Sequence, residues 1–123
     1  MDYIATSSAP AAIGPYSQAI VCGNTLYASG QIPINPETGA IEAKDIVEQT
    51  ERACKNVGEV LKAAGMGFEN VVKTTCFLSD IGNFAAFNEV YAKYFVSKPA
   101  RSCVAVKDIP KGALCEIEII AVR

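Results

Sequence analysis

The sequence contains no histidine and no tryptophan. Without an imidazole, the chain cannot supply Ser-His-Asp or Cys-His catalytic machinery, an imidazole general base or an imidazole metal ligand. Chemistry at a site in this chain therefore has to use carboxylates, guanidinium and ammonium groups, hydroxyls, thiols, backbone groups and water.

Charge of either sign is sparse and evenly spread, with 11 Lys and Arg against 13 Asp and Glu and a formal net charge of −2. No basic stripe of the kind that binds phosphate backbones is present, so nucleic acid is not an expected partner. The longest apolar run is far too short to span a bilayer. The N-terminal residues lack the basic start and apolar core of a signal peptide, so we expect neither membrane insertion nor export.

The cysteines are odd in number and widely spaced, and they form no C-x-x-C pair; they are Cys22, Cys54, Cys76, Cys103 and Cys115. A zinc ribbon or a redox dithiol therefore has no local support. Reduced thiols, mostly buried among apolar neighbours, are typical of a cytoplasmic protein, and this is the location that we predict.

The pattern of the chain predicts a single domain over residues 1–123, with seven elements in the order β-β-α-β-α-β-β. Strands are expected at 17–22, 25–32, 71–78, 101–106 and 114–122, and helices at 45–64 and from 80–83 to 95. The apolar face of the second helix is predicted to be Phe84, Phe87, Tyr91 and Tyr94 or Phe95. Two helices cover only one face of such a sheet. Because strands such as TLYASGQI are apolar at both parities, we expect copies of the same chain to bury the other face.

The segment KPARSCVAV, residues 98–106, places a cation among the small and β-branched residues of a predicted strand. A guanidinium stays charged in proteins, and burying it unpaired is costly. Strand alternation puts Arg101 and Cys103 on one face, and it puts Glu116 and Glu118 of the last strand together. An Arg and a Glu from these strands are therefore expected to point into one shared space. Two interpretations stay open, a structural Arg–Glu ion pair and a clamp for an anionic ligand.

Five further positions have both a structural and a functional interpretation. Tyr16 follows the rigid turn of GPYSQA and is either an anchoring aromatic or a site residue. Ser29 and Gly30 belong to SGQIP, where a glycine in a strand marks a bulge or the close approach of a ligand. Asn88 lies beside the aromatic stripe of the second helix, where capping or solvation is usual. Cys103 has no histidine beside it, which favours an inert thiol.

Five segments, in the order APAAIGPYSQA, SGQIP, VVKTTCFL, PARSCVAV and EIEIIAVR, resemble the reactive intermediate deaminase (Rid or YjgF) family from Ala9 to the last residue. The resemblance implies a chorismate-mutase-like α+β fold and homotrimers around a central barrel, with active clefts between adjacent subunits. It further implies hydrolysis of enamines and imines such as 2-aminoacrylate and 2-aminocrotonate to 2-keto acids and ammonia. No metal or organic cofactor is implied.

The resemblance also implies roles for individual residues. Arg101 matches the residue that binds the substrate carboxylate, and Glu116 matches the residue that holds the hydrolytic water. Tyr16 matches a third catalytic position. The positions that match substrate-binding residues of the cleft are Ser29, Gly30, Asn88 and Cys103. One departure is that YFVSKPARS, at Arg101, is shorter than in the best-known bacterial members by about one turn. This trims a loop, and we expect it to affect the cleft mouth and the substrate preference.

Two other functions stay open. RNA cleavage with inhibition of translation is reported for some relatives, but the missing histidine, the negative net charge and the lack of an aromatic-basic platform weigh against it. A non-enzymatic trimer, either a 2-keto-acid binder or a stress holdase, would use the same Arg101 clamp without turnover.

Overall fold

Six strands form a single mixed sheet in the computed structural model, which describes residues 1–123. The strands are β1 (Asp2–Ile4), β2 (Ala19–Cys22), β3 (Thr25–Ala28), β4 (Val71–Leu78), β5 (Ala100–Ala105) and β6 (Cys115–Val122), and the helices are α1 (Ile46–Ala63) and α2 (Phe84–Tyr94). Their order across the sheet is β1-β2-β3-β6-β4-β5. Only β4 and β5 run parallel, because α2 carries the chain between them.

All seven predicted elements are present, and the predicted α+β class is confirmed. The sequence pattern does not predict β1, a strand of three residues that pairs Tyr3 with Ile20 of β2. The second predicted strand is also shorter than expected, since β3 ends at Ala28. Gln31 keeps only an isolated bridge to Ile117 of β6, so residues 29 and 30 leave the regular ladder and are available to a site.

Both helices pack on one face of the sheet, where a core of 22 buried residues joins them to the strands. Asp45 caps α1 by accepting the N–H of Glu48 at 2.8 Å. Two buried amides of α1 then fix neighbouring segments. Asn56 donates to the carbonyls of Ile32 and Ile34 at 3.0 and 2.9 Å, and Gln49 accepts the N–H of Leu114 at 2.8 Å. The helix thereby fixes the chain after residue 31 and the start of β6.

The other face of the sheet carries a row of apolar side chains that no element of the chain covers. Register pairs Ile20 with Tyr27 and Tyr27 with Ile120, and Tyr27 is 53% exposed. Val104 on β5 is also exposed. The burial of this face by further copies of the chain stays a prediction. Neither helix is long and apolar enough to cross a membrane.

Candidate active site

Arg101 projects from the edge strand β5 toward α2, on the face that the helices cover. Its register partner on β4 is Thr74, which is fully buried. Nη1 of Arg101 donates to Oδ1 of Asn88 at 2.7 Å. The guanidinium carbon lies 4.8 Å from the ring centroid of Tyr91 and 5.5 Å from that of Phe84. An amide oxygen and two aromatic rings, all neutral, therefore hold the cation.

No carboxylate of the chain neutralises Arg101. The single ion pair within 4.0 Å joins Nζ of Lys93 to Oε1 of Glu51, at 3.2 Å. Of the five N–H donors of a guanidinium, Arg101 uses one, in its bond to Asn88. A structural Arg–Glu pair within one chain is therefore excluded, whereas a pair across a subunit seam stays untested.

A cavity of about 540 Å³ opens beside Arg101. Asn88 and Lys98 contribute polar groups to its wall, and Ala92, Phe95 and Val96 are among its apolar lining. Cavities of this size hold small organic ligands, with a few polar groups fixing their orientation. The unpaired positive charge at its wall is suited to a carboxylate.

Glu116 lies on the opposite face of the sheet, so the expectation that Arg101 and Glu116 share a space within one chain is wrong. Glu116 pairs across β6 and β4 with Phe77, and Phe77 pairs with Val104. Residues paired in register point to the same side of a sheet, so Glu116 shares its face with Val104. The physical reason is that β4 lies between β5 and β6 and pairs with both. Its register therefore decides which residues of β5 and β6 lie on the same face.

A second cavity, of about 430 Å³, brings together four of the residues named from the sequence, and these are Tyr16, Ser29, Gly30 and Glu116. Tyr16 is exposed at its rim, after a turn in which its N–H donates to the carbonyl of Gly14 at 2.9 Å. The hydroxyl of Ser29 donates to the carbonyl of Ser17 at 2.6 Å. Glu118 does not line this cavity and is exposed, so Glu116 is the acid that faces it.

Gly30 combines a free backbone donor with a carboxylate at van der Waals distance. The N–H groups of Ser29 and Gln31 donate to the carbonyls of Gln18 and Ile117, but the N–H of Gly30 donates to no group of the chain. A Cβ at residue 30 would overlap the carboxylate of Glu116. The glycine therefore lets a carboxylate and an unused N–H donor lie side by side in one cavity.

Burial changes the acidity of Glu116, which lines the second cavity, and of Cys103, which shares a strand face with Arg101 but lines neither cavity. It raises the pKa of Glu116 above the ordinary value of 4.5, and the nearby negative charge of Glu118 raises it further. Burial also raises the pKa of the Cys103 thiol, and the positive charge of Arg101 only partly opposes this shift. A thiol with a raised pKa is protonated at neutral pH, which argues against Cys103 as a nucleophile.

The remaining cysteines also fit the interpretation as free thiols. All five cysteines are free, and Cys54, Cys76 and Cys115 are buried. Burial raises the pKa of Cys76 and of Cys115 to about 12. No group of three or more His, Cys, Asp or Glu side chains is placed to hold a metal ion.

Three residues next to Arg101 were missed as site residues. Tyr91 and Phe84 were assigned to the apolar face of the second helix, but their rings lie beside the guanidinium. The sequence predicts Thr74 only as part of a strand. The one signal in the sequence is the aromatic stripe itself, since the face of an aromatic ring attracts a guanidinium.

Comparisons with known proteins agree with this fold. The profile of the family described as Endoribonuclease L-PSP matches residues 6–123. Human 2-iminobutanoate/2-iminopropanoate deaminase is 49% identical over 121 residues, which cover 98% of this chain and 88% of the human protein. A Yersinia pestis protein of the Rid family, of unknown function, is 52% identical, with a TM-score of 0.96 over 99% of this chain and 98% of that one.

A third comparison is with Escherichia coli TdcF, whose structure contains bound serine. It is 42% identical and has a TM-score of 0.95 over 100% of this chain and 99% of that one. With matches of this extent, the chain belongs to the reactive intermediate deaminase (Rid or YjgF) family. Its fold is accordingly the chorismate-mutase-like fold of that family, as predicted.

Proposed function

We propose that this protein is a cofactor-independent deaminase that hydrolyses 2-enamines and 2-imines, such as 2-aminoacrylate and 2-aminocrotonate, to 2-keto acids and ammonia. The observation that carries the proposal is the guanidinium of Arg101, which no carboxylate of the chain neutralises and which lies at the wall of a cavity. The name of the human relative, 2-iminobutanoate/2-iminopropanoate deaminase, supports the same substrate class.

The site is proposed to form between two subunits of a homotrimer. One chain presents Arg101 and Asn88 at a cavity on the helix-covered side of the sheet, with Cys103 on the same strand face as Arg101. The cavity with Glu116 and Gly30 is separate and contains no arginine. A closed symmetric assembly brings different surfaces of identical chains together, so each neighbour would contribute the half that the other lacks.

The first proposed step is binding of the substrate carboxylate by Arg101. A planar guanidinium can donate two parallel N–H bonds to a carboxylate, and each charge-assisted bond is worth roughly 1.5–3 kcal/mol net. Because the bond to Asn88 uses only one donor, others stay free for the ligand. The free N–H of Gly30 is a further donor for the bound substrate or for a water.

The second proposed step is hydrolysis. Glu116 holds a water that adds to the C=N carbon of the imine, and the resulting carbinolamine loses ammonia to leave the 2-keto acid. Tyr16 lies at the rim and takes part in closing the site. Enamines tautomerise to imines and hydrolyse spontaneously, so positioning and electrostatic stabilisation are enough without a strong base. This accounts for a site without histidine.

The test couples the protein to a pyridoxal-phosphate dehydratase acting on its amino-acid substrate, and it follows the loss of imine together with the formation of 2-keto acid. The wild-type protein is expected to accelerate both, and Arg101→Ala is expected to remove the acceleration. Lys93→Ala is the matched control, because it removes a positive charge from α2 that pairs with Glu51, away from the cavity. Full rate in Arg101→Ala would contradict the proposal.

The two alternative functions give different results in the same system. A non-enzymatic binder would bind 2-keto acids through Arg101 but leave the rate of imine loss unchanged. RNA cleavage, which the family description names, would have to disappear in Arg101 or Glu116 variants to belong to this site. Residues 95–99 connect α2 to β5, and an effect of this shortened segment on the cleft mouth stays a prediction. The single-domain organisation of residues 1–123 and the cytoplasmic location also stay predictions.

A further inference from the structure

Tyr91 is fixed on three sides. Its hydroxyl lies 2.8 Å from Oγ1 of Thr74, and both groups are buried. One face of its ring stacks on Phe95, with centroids 4.2 Å apart and an interplanar angle of 17°. The guanidinium carbon of Arg101 lies 4.8 Å from the ring centroid. The aromatic surface next to the guanidinium therefore has a defined orientation.

The three side chains that fix one another come from three elements. Thr74 on β4 and Arg101 on β5 are direct register partners, so their side chains leave the sheet at neighbouring points on the same face. Tyr91 comes from α2, as does Asn88, which is three residues earlier and accepts a bond from Arg101. Residues three apart on a helix are neighbours on its surface. The helix therefore holds the guanidinium through Asn88 and Tyr91, in addition to the ring of Phe84.

The neutral groups that contact Arg101, an aromatic ring and an amide oxygen, have an electrostatic consequence. A carboxylate in place of the ring would fix Arg101 equally well, but it would neutralise the cation and compete with an anionic ligand. A ring and an amide oxygen fix the orientation and leave the net charge available. A long, flexible side chain that is already ordered loses less entropy when a ligand binds.

We propose that Tyr91, anchored by Thr74, is a positioning residue that orients Arg101 for the substrate carboxylate. This inference rests on the proposed function. The competing interpretation is that Tyr91 and Thr74 only fill the core, since a buried tyrosine hydroxyl needs a hydrogen-bond partner in any case. The two interpretations differ in whether Thr74 and Tyr91 affect ligand binding through Arg101.

The experiment measures the dissociation constant of 2-oxobutanoate by calorimetry for Thr74→Val, Thr74→Ser and Tyr91→Leu, each with Arg101 and in an Arg101→Lys background. Valine keeps the shape of threonine without the hydroxyl, and serine keeps the hydroxyl. With Arg101 present, Tyr91→Leu and Thr74→Val are expected to weaken binding about 10-fold, and Thr74→Ser less than about 2-fold. In the Arg101→Lys background the effect of all three is expected to fall below about 2-fold, because an ammonium does not stack as a guanidinium does.

Tyr94→Leu is the matched control, because Tyr94 is on the same helix and its hydroxyl bonds to Glu51 instead. It is expected to leave the dissociation constant unchanged. If Tyr91→Leu weakens binding equally with Arg101 present and in the Arg101→Lys background, the inference is overturned and the proposed function stays intact. If the wild-type protein neither binds 2-oxobutanoate nor accelerates imine loss, the proposed function fails, and the positioning role fails with it.

A measurement on the wild-type protein keeps the inference testable if Tyr91→Leu does not fold. The Nε–H resonance of Arg101, assigned by its loss in Arg101→Lys, is expected to show an upfield ring-current shift from Tyr91. That shift should persist in Thr74→Ser and decrease in Thr74→Val. A resonance at the position of a freely solvated arginine would overturn the inference.

Discussion

The carboxylate of Glu116 lies directly against the Cα of Gly30. A Cβ built at residue 30 would overlap a carboxylate oxygen and come within 2.8 Å of Cδ of Glu116. Gly30 is not among the glycines with positive φ, so its backbone conformation is open to any residue. Steric contact with Glu116, and not backbone strain, is what requires glycine here.

Gly30→Ala is therefore expected to separate stability from activity. The clashing atoms are the end of a flexible side chain, so the carboxylate can swing away and the free energy of unfolding should change by less than about 1 kcal/mol. Turnover should nevertheless fall about 100-fold, because a misplaced catalytic group loses its geometry. Thermal unfolding and the coupled imine assay measure the two effects.

Gly23→Ala is the control with the opposite expectation. Gly23 has φ of +61° in the turn between β2 and β3, with nothing within 4 Å of an added Cβ. Alanine there is expected to cost about 1–2 kcal/mol of stability through backbone strain and to keep the turnover. Wild-type turnover in Gly30→Ala would contradict the role assigned to the position of Glu116.

The raised pKa of Glu116 predicts a specific dependence of stability on pH. Burial disfavours the ionised carboxylate, so the folded protein binds this proton more tightly than the unfolded chain. The contribution to stability is present in full below the ordinary pKa of 4.5, and it is lost as the pH rises through the raised value. Denaturant unfolding across this pH range should show the loss in the wild-type protein.

Glu116→Gln is expected to lack this loss of stability, because an amide does not ionise. In Glu118→Gln the loss should move to lower pH, since the neighbouring charge that raises the pKa of Glu116 is gone. A pH dependence that is identical in the wild-type protein and Glu116→Gln would show that Glu116 is not the titrating group.

Cys103→Ser is expected to retain turnover within a few-fold. Burial raises the pKa of the Cys103 thiol, so the thiolate that a nucleophile needs is scarce at neutral pH. The expected small change comes from altered packing against the hydrophobic core, which Cys103 contacts. The coupled assay compares kcat and KM with the wild-type values, and a loss of turnover of about 1,000-fold or more would instead indicate covalent catalysis.

The sequence predicted the elements well where periodicity was strong, as in α1, β4 and β6. It failed for β1, because three residues carry no usable alternation and this strand exists only through its pairing with β2. It also failed to predict that Arg101 and Glu116 lie on opposite faces of the sheet. Alternation assigned each to a face within its own strand, but the strand between them, β4, decides how those faces relate.

The candidate site shows the same limit in its supporting residues. Glu116 and Gly30 were named separately from motifs, but their contact depends on how residues 29–31 leave the ladder beside β6. The sequence predicts Tyr91 as an apolar helix residue and Thr74 as a strand residue. Their link to Arg101 requires the register of β4 with β5 and the position of α2 above both, which no local pattern encodes.

We propose that Arg101 of one chain and Glu116 of its neighbour act on the same substrate. Co-expression of Arg101→Ala and Glu116→Gln chains with different tags, and purification of assemblies that contain both, tests this proposal. As a control, Arg101→Ala is combined with Asn88→Ala, which lies in the same half of the site.

The Arg101→Ala and Glu116→Gln proteins are each expected to be inactive alone. In a closed trimer that contains both kinds of chain, about one site in three combines an intact Arg101 with an intact Glu116 from the next chain. We therefore expect about a third of the wild-type turnover in the mixed assemblies. In the control, we expect no activity beyond the average of the Arg101→Ala and Asn88→Ala proteins measured separately. Mixed assemblies that stay as inactive as their parents would contradict a site shared between chains.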